Sequence, residues 1–283
     1  MKKQFIIAIV ILIMAGFACS IQNIQMETVE TRVVNVAEAL PGNTNETELI
    51  FKMTGGQFTI NPGSDQLANG SIVYNVEHYE PEFTRRDNYL EIKQVEPFRF
   101  TGLPIGDVEN IWNLEITEAL PLDLRIEGGA SENIFNFSGL QLTRLSIIQG
   151  GSDTTIRFEV PNPVPMDEFS FTTGASSARL YGLANAGFRR MSMSAGAGNY
   201  TLDFGGILSQ DTVVDIKAGV SNIILVIPAE MRAVVNTQGT VTNINTRGTW
   251  LVSNDQYSTL MEGNTLLINL DMAIGNITLV HEE

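Results

Sequence analysis

The sequence predicts an all-β protein, folded as a β-helix-like β-solenoid with coils of about 22 residues behind an N-terminal β cap region. Three observations support this prediction. Apolar residues alternate with polar ones in many short stretches, which is the pattern of half-buried strands. These stretches recur around glycines at a nearly constant spacing, and the first and last units are atypical, as the ends of a stacked array must be.

The first 18 residues have the pattern of a secretory signal peptide. Lys2 and Lys3 precede an unbroken apolar run from Phe5 to Ala18, which is 14 residues long. A membrane-spanning helix needs about 20 residues, so a short uncleaved anchor is the alternative interpretation. We therefore predict that the chain is exported.

Cys19 is the chain's one cysteine and directly follows the apolar run. The small residues Gly16 and Ala18 suit cleavage before Cys19, and the site resembles the bacterial lipobox, in which the thiol receives a lipid. It departs from that pattern at Gly16, where an aliphatic residue is usual, and a chance cysteine beside an ordinary signal peptide is the alternative. Lipidation would remove a lone thiol from an oxidising compartment. We predict a lipid at Cys19, followed by a linker over residues 19–29.

The charge of the exported chain excludes some partners. Without residues 1–18 it has 15 basic and 32 acidic residues, a net charge of −17. Nucleic-acid phosphates and anionic headgroups would both be repelled by that charge, so membrane contact is expected only through the lipid. With one cysteine no internal disulfide is possible, and stability must come from core burial.

The repeat is clearest around Gly196. Met191 and Met193 precede this glycine, and Leu202 and Phe204 follow it. Equivalent residues flank four other glycines, with one lapse at Gly182 in the unit of Gly174, and the five anchors are 21, 24, 22 and 23 residues apart. A shortened form surrounds one further glycine at each end. The predicted corner glycines are Gly56, Gly129, Gly150, Gly174, Gly196, Gly219 and Gly275.

Each unit is expected to contain two short strands that meet at a glycine corner. Glycine there supplies positive φ or lets neighbouring backbones approach closely. Further corners are indicated at 138–140, 181–183 and 205–207. We predict an N-terminal β domain over 30–110, the repeat solenoid over 111–235, and terminal coils and a cap over 236–283. An antiparallel β-sandwich is the alternative, but its turns would recur every 8–12 residues, roughly, without a longer period.

The glycines do not predict a cofactor site. A dinucleotide-binding loop would need a third glycine near Thr201 and a helix after it, whereas the β-forming residues Tyr200, Leu202 and Phe204 follow Gly198. No cofactor is therefore expected.

Residues for catalysis or metal binding are scarce. His78, His281 and Cys19 lie far apart in the sequence, and no Gly-x-Ser-x-Gly elbow is present. His78 stands between Glu77 and Glu80, which favours an ordinary surface histidine.

The repeat also predicts two outward columns, in which a glycosidase of this fold would align paired carboxylates. Each column has one acid among five residues, so no acid pair is expected, and three consecutive serines indicate a hydroxyl ladder. The earlier strand gives Arg125, Ser146, Ser170, Ser192 and Asp215, and the later strand gives Asn136, Arg157, Tyr181, Asp203 and Val226.

A family resemblance is carried by "PLDLRIEGGASENIFNFSGLQLTRLSIIQGG" (121–151) and "GAGNYTLDFGG" (196–206). These stretches resemble the toast-rack family of bacterial cell-envelope proteins. Residues 51–83, continuing into "YLEIKQ" (89–94), are similar to that family's N-terminal domain. The resemblance extends from about residue 30 to 280, although the family's Gly-Ala-Gly corner is altered at 128–130 and 150–152. It implies an envelope location and relatives among adhesin-like domains and regulators of the response to cell-wall antibiotics.

Together these features predict an exported, lipid-anchored cell-envelope scaffold or adhesin-like binding protein without catalytic activity. Its expected partners are the membrane, through the lipid, and an envelope protein or glycan. Two alternatives remain open, a polysaccharide-processing enzyme on a β-solenoid and an envelope-stress sensor or regulator.

Overall fold

A computed structural model describes residues 28–94 and 107–282. The predicted signal peptide, Cys19 and most of the predicted linker lie outside the described residues. Sixteen strands form one continuous sheet, with two short 3₁₀ helices, Glu77–Tyr79 and Leu183–Ala186, and no α-helix in those two ranges. The all-β prediction is confirmed.

The strands are long in the middle of the chain and short at its ends. In chain order they are β1 (Arg32–Glu38), β2 (Thr47–Ser64), β3 (Ala68–Tyr74), β4 (Pro81–Arg86), β5 (Tyr89–Gln94), β6 (Asn110–Thr117), β7 (Leu122–Asn136), β8 (Leu142–Gln149), β9 (Ser152–Arg157), β10 (Met166–Tyr181), β11 (Phe188–Asp203), β12 (Thr212–Ile227), β13 (Arg232–Arg247), β14 (Leu251–Ser253), β15 (Gln256–Ser258) and β16 (Thr265–His281).

The order across the sheet is β1-β3-β6-β2-β7-β8-β10-β11-β12-β16-β13-β15-β14, with β9 beside β7 and β10 and the β4–β5 hairpin beside β2. All neighbours from β6 and β2 through β13 are parallel, and antiparallel pairs occur only towards the two ends. The parallel centre differs from the antiparallel sheets of the alternative sandwich.

The register of the central strands matches the sequence repeat. Phe169 pairs with Met191, and Met191 pairs with Val214, so positions 22 and 23 residues apart are direct neighbours. The order differs from the chain order at the C-terminal end, because β16 lies between β12 and β13 and is parallel to both. The last strand of the chain is therefore inside the sheet, and β13 is nearer to its edge.

Each long strand bends at its glycine and buries both halves in the same core. In β10 the buried residues have odd numbers from Phe169 to Thr173 and even numbers from Ser176 to Leu180, with Gly174 and Ala175 exposed between them. Aromatic rings line much of the interior, with neighbouring centroids 5.3 to 6.3 Å apart: Phe51, Phe58, Trp112, Phe135, Phe137, Phe158, Phe169 and Phe188.

Two glycines shape the connection between β10 and β11. Gly182 and Gly187 flank the 3₁₀ helix with left-handed φ values of 72° and 67°. These two conformations suit glycine, and they return the chain so that Phe188 pairs with Met166.

Candidate functional site

Five of the seven predicted corner glycines form one column at the bend of the sheet. A Cβ built on Gly174 would lie 2.7 Å from the carbonyl oxygen of Gly150, and one on Gly196 would lie 2.7 Å from that of Gly174. Gly219 packs in the same way on Gly196, and Gly150 on Gly129. None of the five has a positive φ, so close backbone approach is the reason for glycine here.

Gly56 and Gly275 lie in a different column, two residues further along the strands. Gly56 pairs with Ser131, and Gly275 pairs with Ser221. Their φ values are +125° and +142°, so these two are glycines for conformational reasons as well. The shortened flanking units of the sequence thus have a shifted register relative to the central five.

Polar side chains form a buried seam beside the glycine column. Thr173 Oγ1 donates to Ser176 Oγ at 2.8 Å, and Ser176 Oγ lies 3.1 Å from the hydroxyl of Tyr200. That hydroxyl donates to the carbonyl oxygen of Ala197 at 3.2 Å. Burial raises the pKa of the Tyr200 phenol above its usual value, and the contact with Ser176 partly offsets this. These hydrogen bonds stabilise the bend, and no reactive group of the seam is exposed to solvent.

The predicted serine column is in register. Ser146, Ser170 and Ser192 are consecutive neighbours, and Ser170 Oγ donates to Ser146 Oγ at 3.1 Å. The column ends at Asp215, whose carboxylate accepts hydrogen bonds from Arg190 at 2.7 Å and from Asn269 at 2.9 Å. Its one acid is therefore already paired.

The second predicted column is also in register. Arg157 lies between Asn136 and Tyr181, and its guanidinium is 5.0 Å from the centre of the Tyr181 ring. Asp203 pairs with Val226 and is the one acid of this column.

A further column was missed in the sequence. Asn199, Asn222, Asn276 and Asn243 are consecutive neighbours on β11, β12, β16 and β13, and we name them the asparagine column. Asn243 Nδ2 donates to Asn276 Oδ1 at 3.5 Å. The column could not be found from the repeat, because the repeat assumes that strands pair in chain order. Asn276 lies between Asn222 and Asn243 in the sheet, although it follows Asn243 in the chain.

The asparagine column belongs to a flat outer face of low charge. The next column on the same face contains Thr201, Ile224, Thr278 and Asn245, again on β11, β12, β16 and β13. Amides, hydroxyls and a branched aliphatic side chain thus repeat at the strand spacing of about 4.8 Å. Such a face can recognise a partner by hydrogen bonds and shape.

An open cleft of about 470 Å³ lies on the other face of the bend, lined by Arg144, Asp167, Glu168, Arg189, Arg190, Asp211 and Val213. Its arginines are ion-paired: Arg144 with Asp123, Arg189 with Asp167, and Arg190 with Asp215. The hydrogen bond that Arg144 donates to the Asp123 carboxylate raises the pKa of the guanidinium. These exposed pairs hold neighbouring strands together and balance charge locally.

The two histidines lie in different environments. His78 is exposed in the first 3₁₀ helix. His281 is buried, and its ring nitrogens lie 3.0 Å from the carbonyl oxygen of Thr249 and 2.9 Å from that of Ala229. His281 therefore links the end of β16 to the loop that contains Thr249 and to the loop that contains Ala229.

Residues 28–94 and 107–282 contain no cluster of three or more His, Cys, Asp or Glu side chains with the geometry of a metal site. The same residues include no helix of the length and hydropathy needed to span a membrane.

Comparison with known proteins agrees with this architecture. Residues 22–162 match the family described as the N-terminal domain of toast_rack, DUF2154. The chain belongs to the toast-rack family over these residues, and the resemblance inferred from its glycine-rich strands is confirmed.

Two of the solved structures similar to this chain are bacterial proteins. A candidate cell adhesion protein from Clostridium sporogenes is 16% identical, with a TM-score of 0.48, and the match covers 89% of this chain and 99% of that one. A candidate adhesin from Bacteroides fragilis is 9% identical, with a TM-score of 0.35, and the match covers 90% and 99%. The comparison with curated proteins returned no match.

Proposed function

We propose that this protein is an exported, lipid-anchored, adhesin-like binding scaffold of the cell envelope, without catalytic activity. The observation that carries the proposal is the flat, low-charge face of the asparagine column, on which amides and hydroxyls repeat in register across four strands. A rigid face of this kind suits an extended partner, an envelope glycan or protein. The toast-rack family match and the signal-like N-terminus support an extracytoplasmic location.

We also propose that residues 111–235 are stacked coils of a β-solenoid. The in-register pairing of Phe169, Met191 and Val214, and the stacking of the corner glycines, support this interpretation. A solenoid provides rigidity, because each coil is hydrogen-bonded to both neighbours.

The anchor is tested by cell fractionation. We expect the native chain to require detergent for release from membranes, and the Cys19→Ala variant to be released without it, because the lipid is attached through the thiol. A Cys19→Ala protein that stays in the membrane fraction would show that the apolar run of residues 5–18 is itself the anchor.

Binding is tested by co-sedimentation of the purified protein with peptidoglycan, and by pull-down from envelope extract with and without peptidoglycan. Thr201→Lys and Thr278→Lys place bulky charges on the flat face, and Ser170→Lys is the matched control on the opposite face. We expect the first two variants to lose binding and the control to retain it. Equal loss in all three would contradict the assignment of the face.

Catalysis is tested on a panel of cell-wall and capsular glycans. We expect no hydrolysis. Reproducible turnover that is lost in Asp203→Asn or Asp215→Asn would overturn the scaffold proposal in favour of a polysaccharide-processing enzyme.

A further inference from the structure

The outer edge of β13 is open over its second half. Beyond the bend, residues 241–247 pair with β16 on one side, while on the other side no strand of the described ranges pairs with them. The first half of β13 is covered by β15, through Val234 to Asn236. About seven residues, or roughly 23 Å of strand, thus form an edge at the end of the sheet, and alternate residues along it direct their backbone groups away from β16.

This edge lacks the features by which proteins protect open strands. Such edges commonly have charges, proline or a very short strand. Among the described strands, β1 has Arg32 and Glu38, β4 begins with Pro81 and has two arginines, and β14 has three residues. The second half of β13, "TVTNINTR" (240–247), contains no proline and no acidic residue, and its one charge is Arg247 at the end, although the chain has a net charge of −15. An edge without acidic residues on so acidic a chain indicates an interface.

We propose that this edge pairs with the same edge of a second copy, in an antiparallel, two-fold symmetric dimer. Residues directly opposite in an antiparallel pair have side chains on the same face. An axis through Asn243 therefore places this residue opposite Asn243 of the second copy, and Thr242 opposite Ile244. The asparagine column would then continue without interruption from one copy into the other.

The inner face of the strand favours the same arrangement. Ile244 packs on the core beside Ile277 but remains only partly buried, because the sheet ends at β13. A second copy would cover it with another β-forming strand. The absence of charge from residues 237–246 matters here, since two acidic chains can meet at this edge without like charges facing each other.

The undescribed segment 95–106 is excluded as the occupant by its length. It joins β5 to β6, and both strands are eight strand spacings from β13, about 38 Å. Twelve residues that must extend out and return reach about 20 Å. The inference rests on the fold alone and does not depend on the proposed lipid anchor.

The first test is analytical ultracentrifugation of the purified full chain in detergent, over about 1 to 300 µM, a range suited to a small interface. We expect a concentration-dependent dimer. Asn243→Lys would place two like charges opposite each other and is expected to lower the association constant about tenfold. Asn199→Lys adds the same charge to the same column, three strands inside the edge, and is expected to leave the constant unchanged. A monomer at all concentrations, or equal loss in both variants, would overturn the proposal.

The second test is independent of that variant's folding. In a chain with Cys19→Ser, Asn243→Cys should form an intermolecular disulfide on mild oxidation, because Cα atoms opposite each other in an antiparallel pair are about 4.5–5.5 Å apart. Asn199→Cys should not. Equal cross-linking of Asn243→Cys and Asn199→Cys, or no cross-linking of Asn243→Cys, would overturn the proposal. The copies would then meet elsewhere, or the edge would bind residues 1–27 or another protein.

Discussion

Replacing Gly196 with valine tests the column of stacked glycines. The Cβ of any side chain at residue 196 would lie 2.7 Å from the carbonyl oxygen of Gly174, whereas real Cβ contacts essentially never fall below 3.0 Å. The obstacle is backbone, so no side chain can rotate away to relieve it. Two neighbouring strands must therefore separate by at least a few tenths of an ångström, in a sheet that is hydrogen-bonded on both sides. We expect Gly196→Val to lower the free energy of unfolding by about 1–3 kcal/mol.

Two variants on the same strand calibrate that value. Ser192 points outward, so Ser192→Val is expected to change stability by less than about 0.5 kcal/mol. Met193 is 2% exposed, and Met193→Asp should be the most damaging of the three because it buries an unpaired charge.

Urea unfolding of the three variants is the assay, followed by circular dichroism and by tryptophan fluorescence. The two tryptophans report on opposite ends of the sheet, since Trp112 lies in β6 and Trp250 lies beside β14. With a slope of about 3 kcal/mol per molar urea, the expected midpoint shift for Gly196→Val is about 0.3–1 M. A Gly196→Val protein of native stability would refute close approach as the reason for this glycine. If Ser192→Val were as damaging as Met193→Asp, the inward and outward faces would be wrongly assigned.

Two further predictions concern buried polar contacts. Tyr200→Phe should cost about 1 kcal/mol at neutral pH, because the hydroxyl that joins Ser176 to the bend is lost. Since burial raises the pKa of this phenol in the folded state, its contribution is complete below pH about 10 and is lost above it, so the deficit of Tyr200→Phe should shrink in alkaline urea titrations. A deficit independent of pH would contradict this. His281→Phe should cost about 1 kcal/mol, because the contacts of the ring nitrogens with the carbonyl oxygens of Thr249 and Ala229 are lost. The fluorescence of Trp250, whose ring centre is 5.8 Å from that of His281, should change, and an unchanged spectrum with native stability would show that His281 is not the fastening contact.

The repeat could be predicted because each unit obeys the same physical rule. Alternation identifies which residues are buried, and glycine identifies where backbones meet, so the columns of Ser146, Ser170 and Ser192 follow from spacing alone. The position of Gly196 between Gly174 and Gly219 follows in the same way.

The asparagine column and the open edge could not be predicted in this way. Spacing assumes that strands stack in chain order, and β16 breaks that order by pairing with both β12 and β13. The order of the strands in the sheet depends on which strands compete for the same neighbour. The local sequence pattern of a strand does not contain that information.

Hydrophobicity explains the outcome of that competition. Both β13 and β16 present strand patterns that could pair with β12. In β16, "TLLINLDMAIGNITLVH", Leu266, Ile268 and Leu270 are all buried, and apolar residues continue to its end. The second half of β13 is "TVTNINTR", in which threonine and asparagine predominate. An inner strand buries more apolar surface than an edge strand, at about 25 cal/mol per Å², so the more apolar sequence gains more from the inner position. The polar strand is left at the edge, where its backbone is free to pair with another chain, and its lack of acidic residues permits that pairing in an acidic protein.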